Sequence, residues 1–396
     1  SPNIRGFEAN KILLMLDGVR LNNAIYRSGH LQNIITIDEH MLESVEILFG
    51  PSSALYGSDA LGGTINMKTK KIYFSENPLW RFGTQNSYSS AYKGIKNNFF
   101  AAFESSKYST ITNFSLKSFG DLEMGSWRAH GYDDWGLVHH YIDGDSVVCN
   151  SNPEIQHGTS YAQYDILNKS SFKINSNWRL TSNIQYSNST NIPRFDKLND
   201  YDQVCDFDTA QNCISSQNLK FHSYYYGPQK RFFSSLNLTG FNHFFDKTEI
   251  IIGYQNVKES RHKWYFDDFL DYLNSPDETA NYDPQTNQYE RVNIYSLNTN
   301  HRIGSLHFGS ETNYNKVISR ASNNGENLWG VGDTRYPPDG SSLFSNAYYA
   351  SFFYRISEKI QSETGLRYTF SHIKGSYPDS MNRPIAGIEG LQLSSK

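Results

Sequence analysis

The sequence predicts a membrane all-β chain, a wall of transmembrane β-strands preceded by a small α/β unit, and three observations carry that expectation. From about Pro78 onward the residues alternate, one parity apolar and aromatic and the other polar. The connections between these runs are short and long by turns. The composition sets 6 Trp, 28 Tyr and 25 Phe against only 38% hydrophobic residues and a mean hydropathy of -0.61, so rings carry the apolar load of a hydrophilic chain.

Residues 1–71 follow a different pattern, compact and punctuated by glycine. Lys11–Leu16 is a continuous apolar run stopped by the turn pair Asp17-Gly18, and Val45–Phe49 is a second, stopped by Gly50-Pro51. Between them Asp38 is placed to cap a short helix over Glu39–Ser44, with Met41 and Leu42 inward. Ser52–Tyr56 is expected to make a helical turn ended by Gly57, and Gly62-Gly63 leads into a strand over Thr64–Thr69. A linker spans 72–77, and residues 78–396 form the strand-rich part.

In that part, Trp178, Leu180, Ile184 and Tyr186 share one parity, and Arg179, Thr181, Asn183, Gln185 and Ser187 the other. The split recurs with Leu306 and Phe308 against His307, Glu311 and Asn313, and with Leu366, Tyr368 and Phe370 against Arg367, Thr369 and Ser371. Ile250, Ile252 and Tyr254 give another apolar row. Long connections are expected at 119–158, 190–217, 264–288 and 318–343, with tight turns near Lys107, Asn175–Asn177, Asn300-His301 and Ser357–Lys359. Alternation alone suits a soluble sandwich, propeller or lectin domain equally well, because one strand face is buried there and the other solvated. Loop asymmetry favours an outer-membrane barrel, with rings in interfacial girdles and the polar parity lining the lumen.

Other classes are poorly supported. A net charge of -4 without a basic block argues against nucleic acid. The longest uncharged apolar run, Ile12–Leu16, is far short of the roughly 18–20 residues a spanning helix needs. No nucleophile elbow, zincin motif or zinc-spaced Cys/His set occurs, so a non-enzyme is expected. The chain opens Ser-Pro-Asn and reads as an internal fragment. Cys149, Cys205 and Cys213 lie in polar stretches that fit an oxidising compartment; Cys205–Cys213 is the expected local disulfide, with three free thiols as the alternative.

The first 71 residues resemble the plug domain of TonB-dependent outer-membrane receptors. The resemblance rests on Asn3–Phe7 (NIRGF), Leu14–Arg20 (LMLDGVR), Leu42–Ile47 (LESVEI), the run GPSSALYG over 50–57, and Asp59–Asn66 (DALGGTIN), in the family's order and spacing. It implies the C-terminal half of an α/β plug inside a fragment of a 22-stranded transmembrane β-barrel. At about 10 residues per strand plus turns, the stretch after the linker supplies some 11–12 strands. An open half-barrel leaves an unpaired edge in lipid, so further strands are expected beyond Lys396. The resemblance further implies location in the Gram-negative outer membrane, contact with its lipid, and energy from the TonB–ExbB–ExbD complex. Arg5, Arg20, Arg27, Glu43 and Glu46 become candidates for plug-to-barrel ion pairs, with simple solvation as the alternative.

Within the plug, Tyr26-Arg27-Ser28-Gly29-His30-Leu31 resembles the apical loop of haem and haemoglobin receptors. That implies His30 as an axial ligand of haem iron, with Tyr26 stacking on the macrocycle and Arg27 beside it. His139 and His140, in the first long loop, are further ligand contacts, against the reading that loop histidines are solvated. The cargo expected is haem, a haemoprotein's haem or a ferric siderophore, with a surface lipoprotein as an additional partner and no permanently bound cofactor. Asp133-Asp134 and Asp143-Gly144-Asp145 offer hard oxygens to Ca2+ but lack a twelve-residue binding loop, which favours a solvated acidic loop.

Overall fold

The computed structural model describes residues 2–27, 30, 34–49, 56–200, 219–274, 285–322 and 334–376. Four strands form the N-terminal sheet: β1 (Ile12–Leu16), β2 (Val19–Arg20), β3 (Leu42–Leu48) and β4 (Gly63–Thr69), in the order β2-β1-β4-β3. β1 runs parallel to β4, and the other pairs are antiparallel. The continuous apolar run of β1 reflects burial on both faces. Asp17 and Gly18 turn the chain with φ of 46° and 80°, as a tight two-residue hairpin requires. A Cβ on Gly18 would lie 2.7 Å from Ile251 Cδ1, so glycine is also what lets this turn press against the wall.

The helix expected over Glu39–Ser44 is shorter. Asp38 accepts the His40 backbone N–H at 3.3 Å and caps a single 3-10 turn, Glu39–Met41. From Leu42 the chain is already strand, because β3 gains a partner in β4 that a second helical turn would forfeit. The turn expected over Ser52–Tyr56 lies almost wholly outside the described residues.

Eleven antiparallel strands, each paired to the next in chain order, make the wall. They are β5 (Leu79–Ser89), β6 (Gly94–Glu104), β7 (Tyr108–Phe119), β8 (Tyr161–Lys173), β9 (Trp178–Ser189) and β10 (Lys230–Gly240). The remainder are β11 (Lys247–Tyr265), β12 (Thr286–Ile303), β13 (Leu306–Ser322), β14 (Ser341–Arg355) and β15 (Gln361–Gly375). The long connections fall on one rim, after β7, β9, β11 and β13, and the opposite rim has only short turns. One connection departs from the expected asymmetry: β5 and β6 are joined on the long-loop rim by a single 3-10 turn, Ser90–Tyr92.

Burial decides between a soluble sheet and a membrane wall. In β9 the polar residues Asn183, Gln185 and Ser187 are 1–3% exposed, whereas Ile184 between them is 46% exposed. On β15 Leu366 and Tyr368 are 77% and 68% exposed. A water-soluble sheet has the opposite order, since each large apolar side chain gains about 1.5–3 kcal/mol by leaving water. An apolar outer face over a buried polar face suits a wall whose outer solvent is lipid. The N-terminal sheet fills the inside. Its core of Ile4, Ile12, Leu14, Leu16, Val19, Leu21 and Met67 is completed by Phe233 and Ile251 of the wall.

Cys149 is disulfide-bonded, whereas the sequence reading leaves it as the odd thiol. Cys205 and Cys213, the expected local pair, lie outside the described residues.

Candidate functional site

Three polar seats tie the N-terminal domain to the wall, and the uppermost faces the long-loop rim. Beyond β2 the Asn22 side chain stitches the descending chain to β1, accepting from Leu14 N and donating to Ile12 O, each at 3.0 Å. Ile25 is then buried in a socket of Val257, Val292, Ile294 and Val317 from β11, β12 and β13. Arg27 and His30 close the apical loop with reciprocal backbone hydrogen bonds of 3.0 and 2.9 Å.

His30 is buried there and bound at both ring nitrogens. Nε2 lies 2.8 Å from Glu259 of β11, and Nδ1 lies 3.0 Å from the Tyr336 hydroxyl. Tyr336 donates its own proton to Ile25 O at 2.7 Å, which ties the His30 ring to the backbone of the apical segment. Both ring nitrogens are engaged by partners in this arrangement, whereas the sequence suggests one open to iron. Tyr26 crosses His30 edge-on at 6.0 Å, and burial together with the Glu259 carboxylate holds its hydroxyl well above the usual tyrosine range. The Arg27 guanidinium lies over the Tyr336 ring at 5.7 Å. These three predicted residues therefore converge, but on side chains 229 or more positions away rather than on an empty pocket.

His139 and His140 sit apart from this apex. His140 begins a short strand, His140–Asp143, in the first long loop and is buried, with burial and neighbouring His139 lowering its pKa. Among the described residues neither hydrogen-bonds to, or makes ring contact with, the apical side chains.

The second seat holds the segment between the apical loop and β3. Gln163 donates to Ile35 O at 2.8 Å, and Arg231 donates to Thr36 O at 2.9 Å. Asp38 is fully buried and meets Lys117 Nζ of β7 at 2.6 Å; the same ammonium reaches Asp165 of β8 at 3.3 Å and Glu39 at 3.2 Å. Asp38, Glu39 and His40 are the one grouping with metal-ligand spacing among the described residues, and Lys117 already supplies its cation.

Burial pushes the half-exposed Glu39 carboxyl up, but hydrogen bonds from Lys96 and its own backbone, with Lys117 nearby, bring it from an ordinary 4.5 to about 2. A depressed carboxylate stabilises the fold above its unfolded-state pKa and loses that contribution as pH falls through the folded one. Protection against hydrogen exchange at residues 35–41, taken relative to the intrinsic rate at each pH, is therefore expected to fall between pH 4.5 and about 2 in wild type and to change less in Glu39→Gln. Parallel profiles for the two proteins would assign the seat's acid sensitivity elsewhere.

The third seat centres on Arg20, which donates to Glu311 of β13 at 2.7 and 3.1 Å, to Asp59 at 2.8 Å and to Tyr56 O at 2.6 Å. Arg367 of β15 donates to the same Glu311 at 2.6 Å. Alongside, Asp17 accepts from Asn183 at 2.8 Å and pairs with Lys169 at 3.2 Å. Of the expected wall-directed ions, Arg20 pairs with a wall carboxylate and Arg27 lies over the ring of Tyr336. Glu46 is satisfied by Lys68 and Asn66 on the neighbouring β4, Glu43 lies 4.0 Å from Lys71, and Arg5 sits over the Phe49 ring. β3 is the edge of its sheet, and its carboxylates find cations there before the wall. Lys117, Lys169, Glu259 and Glu311 are the wall's partners in these seats, and their one signal in the sequence is a charge on the inward, polar parity of a strand.

Residues 1–64 match the family described as the TonB-dependent receptor plug domain. The vitamin B12 transporter BtuB of Vibrio vulnificus is 30% identical over 193 residues, covering 47% of this chain and 30% of that protein. Heme/hemopexin utilization protein C of Haemophilus influenzae is 38% identical over 68 residues, 17% of this chain and 9% of that protein. Among solved structures the FrpB iron transporter from Neisseria meningitidis superposes with a TM-score of 0.59 at 13% identity, covering 92% of this chain and 51% of that one. The copper transporter OprC gives 0.59 at 11% identity, covering 92% and 47%. The chain thus spans about half the length of these solved structures and 30% of BtuB, and its relatives are transporters and receptors, not enzymes.

Proposed function

We propose that this chain, whose residues 1–64 match the TonB-dependent receptor plug domain, is the plug-bearing part of an outer-membrane receptor. The receptor captures a scarce iron-containing ligand, haem or a ferric siderophore, and imports it into the periplasm with energy transmitted through TonB–ExbB–ExbD. The observation that carries this reading is the inverted burial of the wall, apolar outward and polar onto the plug, with the apical loop raised toward the long-loop rim. Haem is favoured by Tyr26, Arg27 and His30 meeting at that apex and by the match to a haem utilization protein. The longer match to BtuB favours a second cargo, cobalamin.

His30 takes up iron in this reading only by releasing Tyr336 or Glu259. Titrating haemin into the full-length receptor in detergent, and following the Soret band, is expected to give weaker binding for His30→Ala. Tyr336→Phe should bind about fivefold more tightly, since a hydrogen bond worth roughly 1 kcal/mol no longer competes. Two variants indistinguishable from wild type would remove His30 as a ligand. Saturable cobalamin binding without haemin binding would transfer the receptor to the second cargo.

A further inference from the structure

The short-turn end of the lumen holds a cavity of about 750 Å3 between the plug and β8–β14, and its lining is strongly basic in a chain whose net charge is -4. Arg179, Lys247, Arg302, His307 and Lys169 face it, as does Lys68, itself paired with Glu46, against the carboxylates of Asp17, Glu249 and Glu311. Two of those three are already committed, Asp17 to Lys169 and Asn183, and Glu311 to Arg20 and Arg367. Lys247 comes no nearer Glu249 than 3.8 Å. Arg179 and Arg302 have no carboxylate within 4.0 Å among the described residues.

The strand register makes this arrangement costly. Lys247 lies directly across from Arg302, and Lys173 from Arg179. Like charges directly opposite destabilise a strand pair. The linker ring of Phe74, with Lys173 4.3 Å and Arg179 5.2 Å from its centre, relieves the last pair only. Repulsion concentrated where the lumen opens, with low-dielectric walls to focus it, is relieved by a bound anion.

We propose that this chamber is an anion-binding site, taking a carboxylate- or phosphate-bearing solute at the short-turn mouth of the lumen, with Arg302, Arg179 and Lys247 as its contacts. Guanidinium groups meet such oxyanions in paired hydrogen bonds, and the chamber volume accommodates a small polyanion. The site lies at the opposite end of the plug from His30, so it stands or falls separately from the cargo reading.

The test is calorimetric titration of inorganic pyrophosphate, and separately citrate, into the full-length receptor in detergent. Wild type should bind saturably, Arg179→Gln/Arg302→Gln at least tenfold more weakly, and Lys359→Gln, on the same rim but outside the cavity lining, like wild type. Heat-modifiable migration on gels checks that each barrel is intact. Absent saturable binding, or equal binding by the double variant, overturns the proposal. Repeating the titration in nanodiscs decides the source of the anion. Equal affinity in phosphatidylcholine and phosphatidylglycerol discs supports a diffusible solute, and loss of binding in phosphatidylglycerol alone reassigns the site to a lipid headgroup and overturns it.

Discussion

Glu311→Ala is expected to cost the plug's attachment about 3–5 kcal/mol, the range for removing one partner of a buried ion pair. Glu311 stands between two guanidinium groups, with Arg20 Nε at 2.7 Å on the plug side and Arg367 Nη2 at 2.6 Å on the wall side, and the three side chains are only 8–12% exposed. Arg20 keeps Asp59 at 2.8 Å and the Tyr56 carbonyl, so it stays partly satisfied, but both of those partners belong to the plug. What disappears is the link across the interface, and what remains is two cations facing each other without the carboxylate that separates them. Hydrogen exchange should accelerate over residues 12–20 and 63–69, with the wall strands protected as before. Glu311→Gln, which keeps an acceptor and removes the charge, should lie between wild type and alanine. Unchanged protection of β1 and β4 in Glu311→Ala would mean that apolar packing of Phe233 and Ile251 alone holds the sheet in place.

The fold was readable because its signals are local. Period-two alternation marks each wall strand within ten residues, and the Asp17-Gly18 pair marks the first plug turn without reference to any partner. Alternation does not say which parity meets water, and the inverted burial of Ile184 and Gln185 emerges only when a plug occupies the inside. The site was legible residue by residue and illegible in its pairings. Arg20 could be singled out as a wall-directed cation, yet its acceptor lies 291 positions away. His30 could be picked from its glycine-flanked loop, but its state is set by Glu259 and Tyr336, at separations of 229 and 306. Glu43 and Glu46 failed for the converse reason, because strand pairing inside the plug supplies cations nearer than the wall's.

Lys117→Met is expected to release the other end of the plug by a similar amount, about 3–5 kcal/mol, because it strands carboxylates rather than guanidinium groups. The Lys117 ammonium is the shared cation of Asp38 and Asp165, at 2.6 and 3.3 Å, and both carboxylates are essentially inaccessible to water. Ser115 also donates to Asp38, and Gln163 donates to Asp165 at 2.8 and 2.9 Å, but neutral donors do not replace the charge. Adding Asp165→Asn to Lys117→Met removes one of the two stranded charges and should recover a large part of the loss, a coupling that a double-mutant cycle measures directly. If Lys117→Met leaves exchange at residues 35–41 unchanged, the Gln163 and Arg231 bonds to Ile35 and Thr36 are sufficient and the ion cluster contributes little. The Arg20 and Lys117 clusters share no residue, so Glu311→Ala and Lys117→Met should be additive if the plug is seated as one rigid piece. Loosening confined to residues 35–41 in one variant and to the β1–β4 sheet in the other would instead divide the plug into two bodies, each released from the wall on its own.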